Sequence, residues 1–290
     1  MNYYLIIPAH NEAKFIASTL QSIEAQTLPP KRIVIVNDNS TDDTPNIAAS
    51  FARTNSDISL INNSSDPHHQ PGSKVIRAFL KGLATVDENY DFIVKLDADL
   101  MLPENYFETI AAHFKSDPEI GMAGGFAYIE KNGDWILENL TDRDHIRGAF
   151  KAYRKSCFKQ IGGLKPAMGW DTADELLAKF YGWKVMTDET LKVKHLKPTG
   201  ANYDKSARFK QGEAFYTLGY GFVITAIASA KLAIMKESPL LFLDYLQGFW
   251  KAKSAKQPLL VTEEQAKFIR NYRWAKMKAK IFRQPLSREG

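Results

Sequence analysis

Five short apolar runs alternate with helical patterns over the first 130 residues, and this alternation limits the possible folds more than any other feature. The runs span residues 3–7, 32–36, 58–61, 92–96 and 120–127. Helical patterns lie between them, at residues 12–26, 42–54, 73–86 and 104–116. Strands that are apolar along their whole length and alternate with helices are typical of a mostly parallel sheet covered on both faces. The sequence therefore predicts an α/β, Rossmann-like sheet with flanking helices.

Length and cysteine content exclude several classes of protein. A chain of 290 residues, 44% hydrophobic and 24% charged, has enough apolar material for one large domain with an appendage. Cys157, the single cysteine, cannot form an internal disulfide or a cysteine-based zinc site, which is typical of a reducing compartment. The first eight residues lack the pattern of a signal peptide, so we expect a cytoplasmic protein.

Polar side chains follow three of the predicted strands directly. They occupy residues 8–12, 37–44 and 97–99. Ligands of such sheets lie beyond the carboxyl ends of the strands, so these three segments predict one binding crevice. Asp97 and Asp99 lie two residues apart in an extended segment and point to the same side, and their oxygens suit Mg²⁺ or Mn²⁺. A solvated turn or a helix cap is the alternative for this pair.

Three ordered blocks carry a resemblance to a known family. Residues 6–12 (IIPAHNE), 35–44 (IVNDNSTDDT) and 94–99 (VKLDAD) resemble, in order and spacing, the nucleotide-sugar-binding half of family 2 glycosyltransferases with the GT-A fold. Residues 153–163 resemble the segment that leads into the acceptor site of that family. The resemblance covers about residues 3–200. It implies metal-dependent, inverting transfer of a sugar from a nucleotide-diphosphate sugar to a hydroxyl group of a glycan or lipid-linked acceptor, in cell-surface polysaccharide or glycolipid synthesis.

The resemblance also assigns expected roles to individual residues. Asp38 matches the carboxylate that pairs with the nucleotide base, and Asp97 matches the residue near the ribose that also approaches the metal. Asp99 matches the metal ligand. His195, at the end of a predicted strand at 191–195, is expected to complete the metal site, with a structural histidine equally open. The first loop, with Pro8, Ala9, Asn11 and Glu12, is expected to line the nucleotide, and Lys74 to reach the diphosphate. Capping of the following helix is the alternative for Asn11 and Glu12.

The resemblance also implies a catalytic base, which this family keeps as an Asp at the start of a helix, about eleven residues before the glycine that ends it. Asp171 has this spacing from Gly182 and is the first choice for the base, with Asp174 and Glu175 as second choices. Trp170 stands where the family usually has Glu, and capping of the helix is the alternative for all three carboxylates. Three nearby aromatic residues are candidates for a platform under a sugar ring: Trp170, Tyr181 and Trp183. Packing in the core is equally open for Tyr181 and Trp183.

The C-terminal part differs in charge and pattern. The chain carries a net charge of +5, but residues 251–290 hold 11 basic and 3 acidic side chains. We expect a catalytic domain at 1–214, with nucleotide-sugar binding at 1–130 and the acceptor side at 131–214, followed by a helical region at 215–290. The apolar stretch at 218–235 is short for a transmembrane helix and contains Lys231, which favours packed helices. Residues 264–283 form a basic amphipathic pattern that fits either an anionic membrane surface or a solvated face.

Two alternatives for the function and one question of location remain open. One is transfer to a polyprenyl phosphate, since residues 97–103 also resemble the metal segment of polyprenyl-phosphate glycosyltransferases. Another is a non-catalytic, membrane-associated protein that binds nucleotide sugars or glycans. Peripheral attachment to the inner face of the cell membrane is open as well. No nucleic-acid partner is expected, because no recognition motif accompanies the basic charge.

Overall fold

The computed structural model describes residues 1–65, 72–138, 143–197 and 207–283. The chain divides into two compact units. The first comprises Met1–Pro166 and Trp170–Ala201, and the second comprises Ala167–Gly169 and Asn202–Gly290.

One mixed sheet forms the centre of the first unit. Its strands, within the described residues, are β1 (Tyr3–Ala9), β2 (Arg32–Asp38), β3 (Ile58–Asn63), β4 (Phe92–Leu96), β5 (Leu100–Met101), β6 (Ile120–Lys131), β7 (Asp134–Leu137), β8 (Phe150–Arg154) and β9 (Lys184–His195). Their order across the sheet is β3-β2-β1-β4-β8-β6-β9-β5, and β7 pairs with β6. The strands β3, β2, β1 and β4 are mutually parallel, whereas β8 runs antiparallel to both β4 and β6. The carboxyl ends of β1, β2 and β4 therefore lie at one edge, as predicted.

Six helices accompany this sheet in the described part of the first unit. They are α1 (Ile16–Glu24), α2 (Thr44–Thr54), α3 (Ser73–Leu83), α4 (Tyr106–Ser116), α5 (Lys155–Gln160) and α6 (Trp170–Phe180). The five predicted strands and the four predicted helices between them are confirmed. The strand predicted at 191–195 is longer, since β9 begins at Lys184, and β5, β7 and β8 were not predicted. The prediction of an α/β sheet with flanking helices is thus confirmed.

Side chains pack closely against the sheet. Gly82 lets α3 approach the sheet, because a Cβ atom there would lie 2.7 Å from Cγ2 of Ile6 and 2.8 Å from Cγ2 of Val36. Tyr3 stacks on Phe92 with ring centroids 4.8 Å apart. Cys157 is fully buried, and burial raises the pKa of its thiol to about 12.

The second unit is helical in its described residues. It contains α7 (Ala207–Thr217), α8 (Phe222–Met235), α9 (Leu240–Ser254) and α10 (Glu263–Arg283). The backbones of α7 and α9 touch at two glycines. A Cβ atom on Gly212 would lie 1.8 Å from the carbonyl oxygen of Tyr245, and one on Gly248 would lie 2.0 Å from that of Phe209. Among the described helices, none combines the length and the hydropathy needed to cross a membrane.

Candidate active site

The loops that follow β1 and β2 are joined by hydrogen bonds. Asn11 has a left-handed backbone, with φ of 54°. Its N–H donates to Oγ of Ser40 at 3.0 Å, and its Oδ1 accepts from the N–H of Thr41 at 2.8 Å. The N–H of Glu12 donates to Oγ1 of Thr44 at 2.8 Å. These contacts hold two of the three predicted ligand-binding segments together as one wall.

Asp38 ends β2 and is buried, with 6% of its surface exposed. Its Oδ1 accepts a hydrogen bond from Nδ2 of Asn63 at 2.8 Å, and its Oδ2 accepts one from Oγ of Ser65 at 3.0 Å. The neighbouring strand β1 ends with Pro8 and Ala9, which are also buried. The carboxylate is thus fixed in orientation at the strand edge by two neutral donors, neither of which cancels its charge.

Three carboxylates and two lysines form a charged group beyond β1 and β4. Lys95 forms an ion pair with Asp97, and Nζ of Lys197 lies 2.8 Å from Oε1 of Glu12. Burial raises the pKa of Glu12 and of Asp97, and the negative charge of Asp99 raises both further, against the lowering effect of the two lysines. Burial is the main cause of both raised pKa values, so these two carboxylates are harder to ionise than exposed ones.

Asp99 and His195 lie side by side at the sheet edge. Nε2 of His195 is 3.5 Å from Oδ2 of Asp99, and its Nδ1 is 3.1 Å from Oε2 of Glu138. Burial alone would lower the pKa of His195, but the two carboxylates outweigh it and raise that pKa to about 9. Oδ1 of Asp99 and Oε2 of Glu12 are buried without a hydrogen-bond partner. In the described residues, no group of three or more His, Cys, Asp or Glu side chains is arranged to hold a metal ion.

The first turn of α6 carries the carboxylate that the sequence favours as a base. The Asp171 side chain is 36% exposed, and its Oδ2 lies 3.7 Å from Nε2 of His145. Nδ1 of the same imidazole lies 3.1 Å from Oε2 of Glu175. Desolvation would raise the pKa of Asp171, but the interaction with His145 and the positive charges of Lys151 and Lys95 outweigh it and lower that pKa to about 2. Asp171 is therefore ionised at neutral pH.

The two second-choice carboxylates are buried and fully engaged. Nζ of Lys151 lies 3.0 Å from Oδ1 of Asp174 and 3.1 Å from Oε1 of Glu175. The hydroxyl of Tyr153 donates to Oδ2 of Asp174 at 2.6 Å, and the N–H of Ile146 donates to Oε1 of Glu175 at 2.9 Å. Asp174 is 2% exposed and Glu175 is 4% exposed. Both side chains thus hold Lys151 in the interior.

Trp170 lies between two buried lysines. Its ring centroid is 5.2 Å from Nζ of Lys95 and 5.9 Å from Nζ of Lys151. A Cβ atom on Gly148 would lie 2.6 Å from Cζ2 of the indole, so this glycine makes room for the ring. Because Trp170 is only 6% exposed, its ring is buried and presents no open face to a sugar. Tyr181 is 39% exposed.

Other predicted residues lie outside this group of contacts or outside the described chain. Lys74 occupies the first turn of α3, after Gly72, which has a left-handed backbone with φ of 73°. Residues 66–71, 139–142 and 198–206 lie outside the described residues.

The sequence reasoning missed five residues that shape the site: Lys95, Glu138, His145, Lys151 and Lys197. Two of them can be recognised in the sequence as lysines inside apolar strands. Lys95 and Lys151 stand inside the apolar strands β4 and β8, face each other in the antiparallel register, and are 2% and 0% exposed. Lysine is almost never fully buried unless it is paired, so each predicts a nearby carboxylate. The other three, Glu138, His145 and Lys197, contact site residues that are far away in the sequence, so no local pattern reveals them.

Comparisons with known proteins bear on the family and the fold of the chain. The family model described as Glycosyl transferase family 2 matches residues 4–167. The poly-β-1,6-N-acetyl-D-glucosamine synthase of Staphylococcus epidermidis is 25% identical over 186 residues, which cover 58% of this chain and 41% of that protein. The chain thus spans about two fifths of the length of this curated relative.

Solved structures share the fold at low sequence identity. A mannosyltransferase of Pyrobaculum calidifontis, solved with GDP-Man and Mn²⁺, has a TM-score of 0.57 and 16% identity, covering 98% of this chain and 81% of its own. Residues 1–349 of Staphylococcus aureus TarS, solved with UDP-GlcNAc, have a TM-score of 0.56 and 16% identity, covering 80% of this chain and 67% of that one. They confirm the GT-A fold with a C-terminal helical extension. Because the family model covers more than half of the sequence, the chain belongs to glycosyltransferase family 2.

Proposed function

We propose that this chain transfers a sugar from a nucleotide-diphosphate sugar to a hydroxyl group of a glycan or lipid-linked acceptor, with inversion at the anomeric carbon. The class of donor is supported by the GDP-Man and UDP-GlcNAc bound to the two solved structures of this fold. A role in cell-surface polysaccharide or glycolipid synthesis is supported by the poly-β-1,6-N-acetyl-D-glucosamine synthase relative.

The observation that carries this proposal is the contrast among the three carboxylates of α6. Asp174 and Glu175 are buried and hold Lys151, whereas Asp171 is partly exposed and keeps its carboxylate beside His145. A general base must reach the proton that it removes and must be ionised beforehand. Asp171 meets both conditions, which supports it as the base.

The donor would bind at the joined loops after β1 and β2. Asp38 has the fixed orientation that pairing with the nucleotide base requires, since two donors hold its carboxylate. Pro8, Ala9, Asn11 and Glu12 would form the wall beside the nucleotide. Asp97 would lie by the ribose, and Lys74, at the start of α3, would approach the diphosphate, where the positive end of the helix dipole favours negative charge.

The residues around Asp99 fit a divalent cation. Oδ1 of Asp99 is a buried oxygen without a partner, which is costly unless a cation or another donor approaches it. His195 would lose the proton on Nε2 when a cation binds and would then offer this atom as a ligand while Glu138 accepts from Nδ1, an arrangement that orients metal-bound imidazoles in many proteins. Asp97 would support the same ion. Mg²⁺ and Mn²⁺ suit such a small ligand set, because phosphate oxygens and water complete their coordination. When bound, the ion would neutralise charge on the departing diphosphate.

Proton transfer then falls to the residues of α6. The acceptor hydroxyl would donate its proton to Asp171 as its oxygen bonds to the anomeric carbon, opposite the departing diphosphate. The low pKa of Asp171 keeps it ionised before that step, and the hydroxyl becomes acidic enough to transfer its proton as the new bond forms. Lys151, held between Asp174 and Glu175, fixes the backbone of this turn, because its Nζ donates to the carbonyl oxygen of Asp171 at 2.7 Å.

The substitution Asp171→Asn tests the base directly. We expect transfer to fall by about 10²- to 10⁴-fold while the protein stays folded, because the amide cannot accept the proton. The measurement is release of nucleoside diphosphate in a coupled assay, with donors chosen by metal-dependent thermal stabilisation. Glu189→Gln, at an exposed carboxylate paired with Arg143, is the matched control and should stay fully active.

Two other results would each replace the proposal. Full activity of Asp171→Asn would favour a polyprenyl-phosphate acceptor, which is already ionised and needs no base. Donor binding without any diphosphate release by the unaltered chain would favour a non-catalytic binding protein.

The roles of the two regions remain proposals as well. We infer that residues 1–214 carry catalysis, with the donor at 1–130 and the acceptor side at 131–214, and that residues 215–290 serve location. A cytoplasmic place of action, with peripheral attachment to the inner face of the membrane, is supported by the positive charge of residues 251–290.

A further inference from the structure

Exposed apolar side chains are concentrated on α8 and α9. Of the 12 large hydrophobic side chains that are exposed in the described residues, 10 belong to the second unit. The highest exposures cluster where the two helices meet, at 78% for Ile234, 66% for Leu240 and 61% for Leu243. We call residues 230–243 the α8–α9 tip. Large apolar side chains that cluster on the surface mark a site of interaction.

An apolar cavity of about 510 Å³ opens within the α8–α9 tip. Most of its walls are apolar, and two polar residues, Glu237 and Ser238, also line it; the apolar ones are Ala230, Ala233, Ile234, Pro239 and Phe242. Behind it, Ala233 packs with Leu241 and Tyr245 in a small core. The tip therefore offers apolar side chains at its surface and an apolar recess between them, a shape that suits a hydrocarbon chain.

Positive charge surrounds this apolar surface. Residues 222–256 contain five lysines and two acidic residues. Within the α8–α9 tip, Lys231 and Lys236 are exposed, as is the single acidic residue Glu237. At the other end of α9, Nζ of Lys253 lies 4.6 Å from the ring of Trp250, which is 46% exposed. Apolar side chains bordered by lysine and tryptophan match the boundary between lipid headgroups and acyl chains.

We propose that the α8–α9 tip inserts into the surface of an anionic lipid bilayer, with an acyl chain entering its cavity and the lysines contacting the headgroups. The helices α8 and α9 have 14 and 15 residues, which suits insertion into one leaflet rather than passage across the bilayer. A second copy of the chain is a poorer occupant, because two surfaces with the same excess of lysine repel each other.

This inference assigns the membrane contact to the α8–α9 tip rather than to α10, for which the sequence leaves a membrane surface and a solvated face open. Two basic side chains of α10 already form hydrogen bonds within the second unit. Arg270 donates to the carbonyl oxygen of Gly219 at 3.1 Å, and Arg273 donates to the hydroxyl of Tyr220 at 2.5 Å. The inference rests on the proposed peripheral attachment and names the surface that makes it, but it needs no donor and no catalysis, so its failure would leave the proposed reaction untouched.

Co-sedimentation of the full chain with vesicles tests the proposal. We expect binding to vesicles that contain phosphatidylglycerol, weaker binding to pure phosphatidylcholine, and loss of binding at high salt. The double substitution Ile234→Ser with Leu240→Ser should lower the partition coefficient by about tenfold or more, because two exposed apolar side chains no longer enter the bilayer. Ile136→Ser, at a residue of the first unit that is 40% exposed, is the matched control and should bind normally.

Two results would contradict insertion of the α8–α9 tip into a bilayer. Failure of the unaltered chain to bind phosphatidylglycerol vesicles overturns the proposal, as does unchanged binding of the double variant. Sedimentation velocity without lipid tests whether a second copy of the chain binds the α8–α9 tip instead. A dimer that the double substitution dissociates, together with no vesicle binding, would assign the tip to a second copy.

Discussion

The two units of the chain depart from ordinary globular packing in opposite directions. The first places charged side chains in its interior, including Lys95, Lys151, Asp174 and Glu175. In the second, the buried polar side chains among the described residues are the hydroxyls of Thr225 and Ser229, while large apolar side chains stand in solvent. Buried charge is weak evidence for stability, and exposed apolar surface contributes nothing to a core. Each departure therefore indicates function: reaction chemistry in the first unit and contact with a partner in the second.

Removal of a buried charge should have the largest effect on the first unit. Lys151→Met leaves Asp174 and Glu175 buried without their cation, and we expect the free energy of unfolding to fall by about 3–5 kcal/mol. Lys159→Met, which removes an ion pair from a side chain that is 51% exposed, is the control and should cost at most about 1 kcal/mol. Urea denaturation measures both. Equal costs in the two variants would mean that the interior charges do not form a network.

A smaller effect should appear where the second unit relies on backbone contact. Gly248→Ala places a methyl group against the carbonyl oxygen of Phe209, and we expect a loss of up to about 3 kcal/mol in the free energy of unfolding. The control is Gly182→Ala, which meets no atom within 4 Å but has φ of 84°, and should cost about 1 kcal/mol. Thermal denaturation compares the two. If Gly248→Ala is the milder change, the approach of α7 to α9 does not stabilise the unit.

The smallest effect is a dependence of stability on pH that belongs to the first unit. Burial would lower the pKa of His145, but Asp171 and Glu175 outweigh it and raise that pKa to about 9. Because the folded value exceeds the unfolded value of about 6.5, the stabilisation is complete below about pH 6.5 and is lost as the pH rises through about 9.

The variant His145→Gln isolates this contribution. The unaltered chain should exceed it by about 2 kcal/mol in the free energy of unfolding near pH 6, and this advantage should vanish near pH 10. Denaturation curves at several pH values measure the difference. An advantage that stays constant over this range would show that His145 acts through packing and not through its charge.

Local patterns explain which parts of the fold were predictable. The strands β1, β2, β3, β4 and β6 follow from apolar runs, and helices lie between them at the expected places. The strand β8 was missed because its sequence, FKAYR, contains Lys151, which only its distant carboxylate partners allow to be buried. The strand β5 has two residues, too few for any pattern.

The same distinction applies to the candidate site. The rule that ligands lie at the carboxyl ends of parallel strands selected Asp38, Asp97 and Asp99 for inspection before the register was known. The position of His145 beside Asp171 follows from a loop that no periodicity describes. Likewise, the pairing of Lys95 with Lys151 across β4 and β8 depends on an antiparallel neighbour from 56 residues further along the chain.

The burial of Cys157 has a practical consequence. A thiol with a pKa of about 12 carries almost no thiolate at neutral pH and is closed to reagents by the packing around it. We therefore expect the unaltered chain not to react with maleimide or nitroxide reagents. A cysteine introduced at an exposed position would react in preference to Cys157. Spectroscopic labels can be placed residue by residue along either unit without first removing a native thiol.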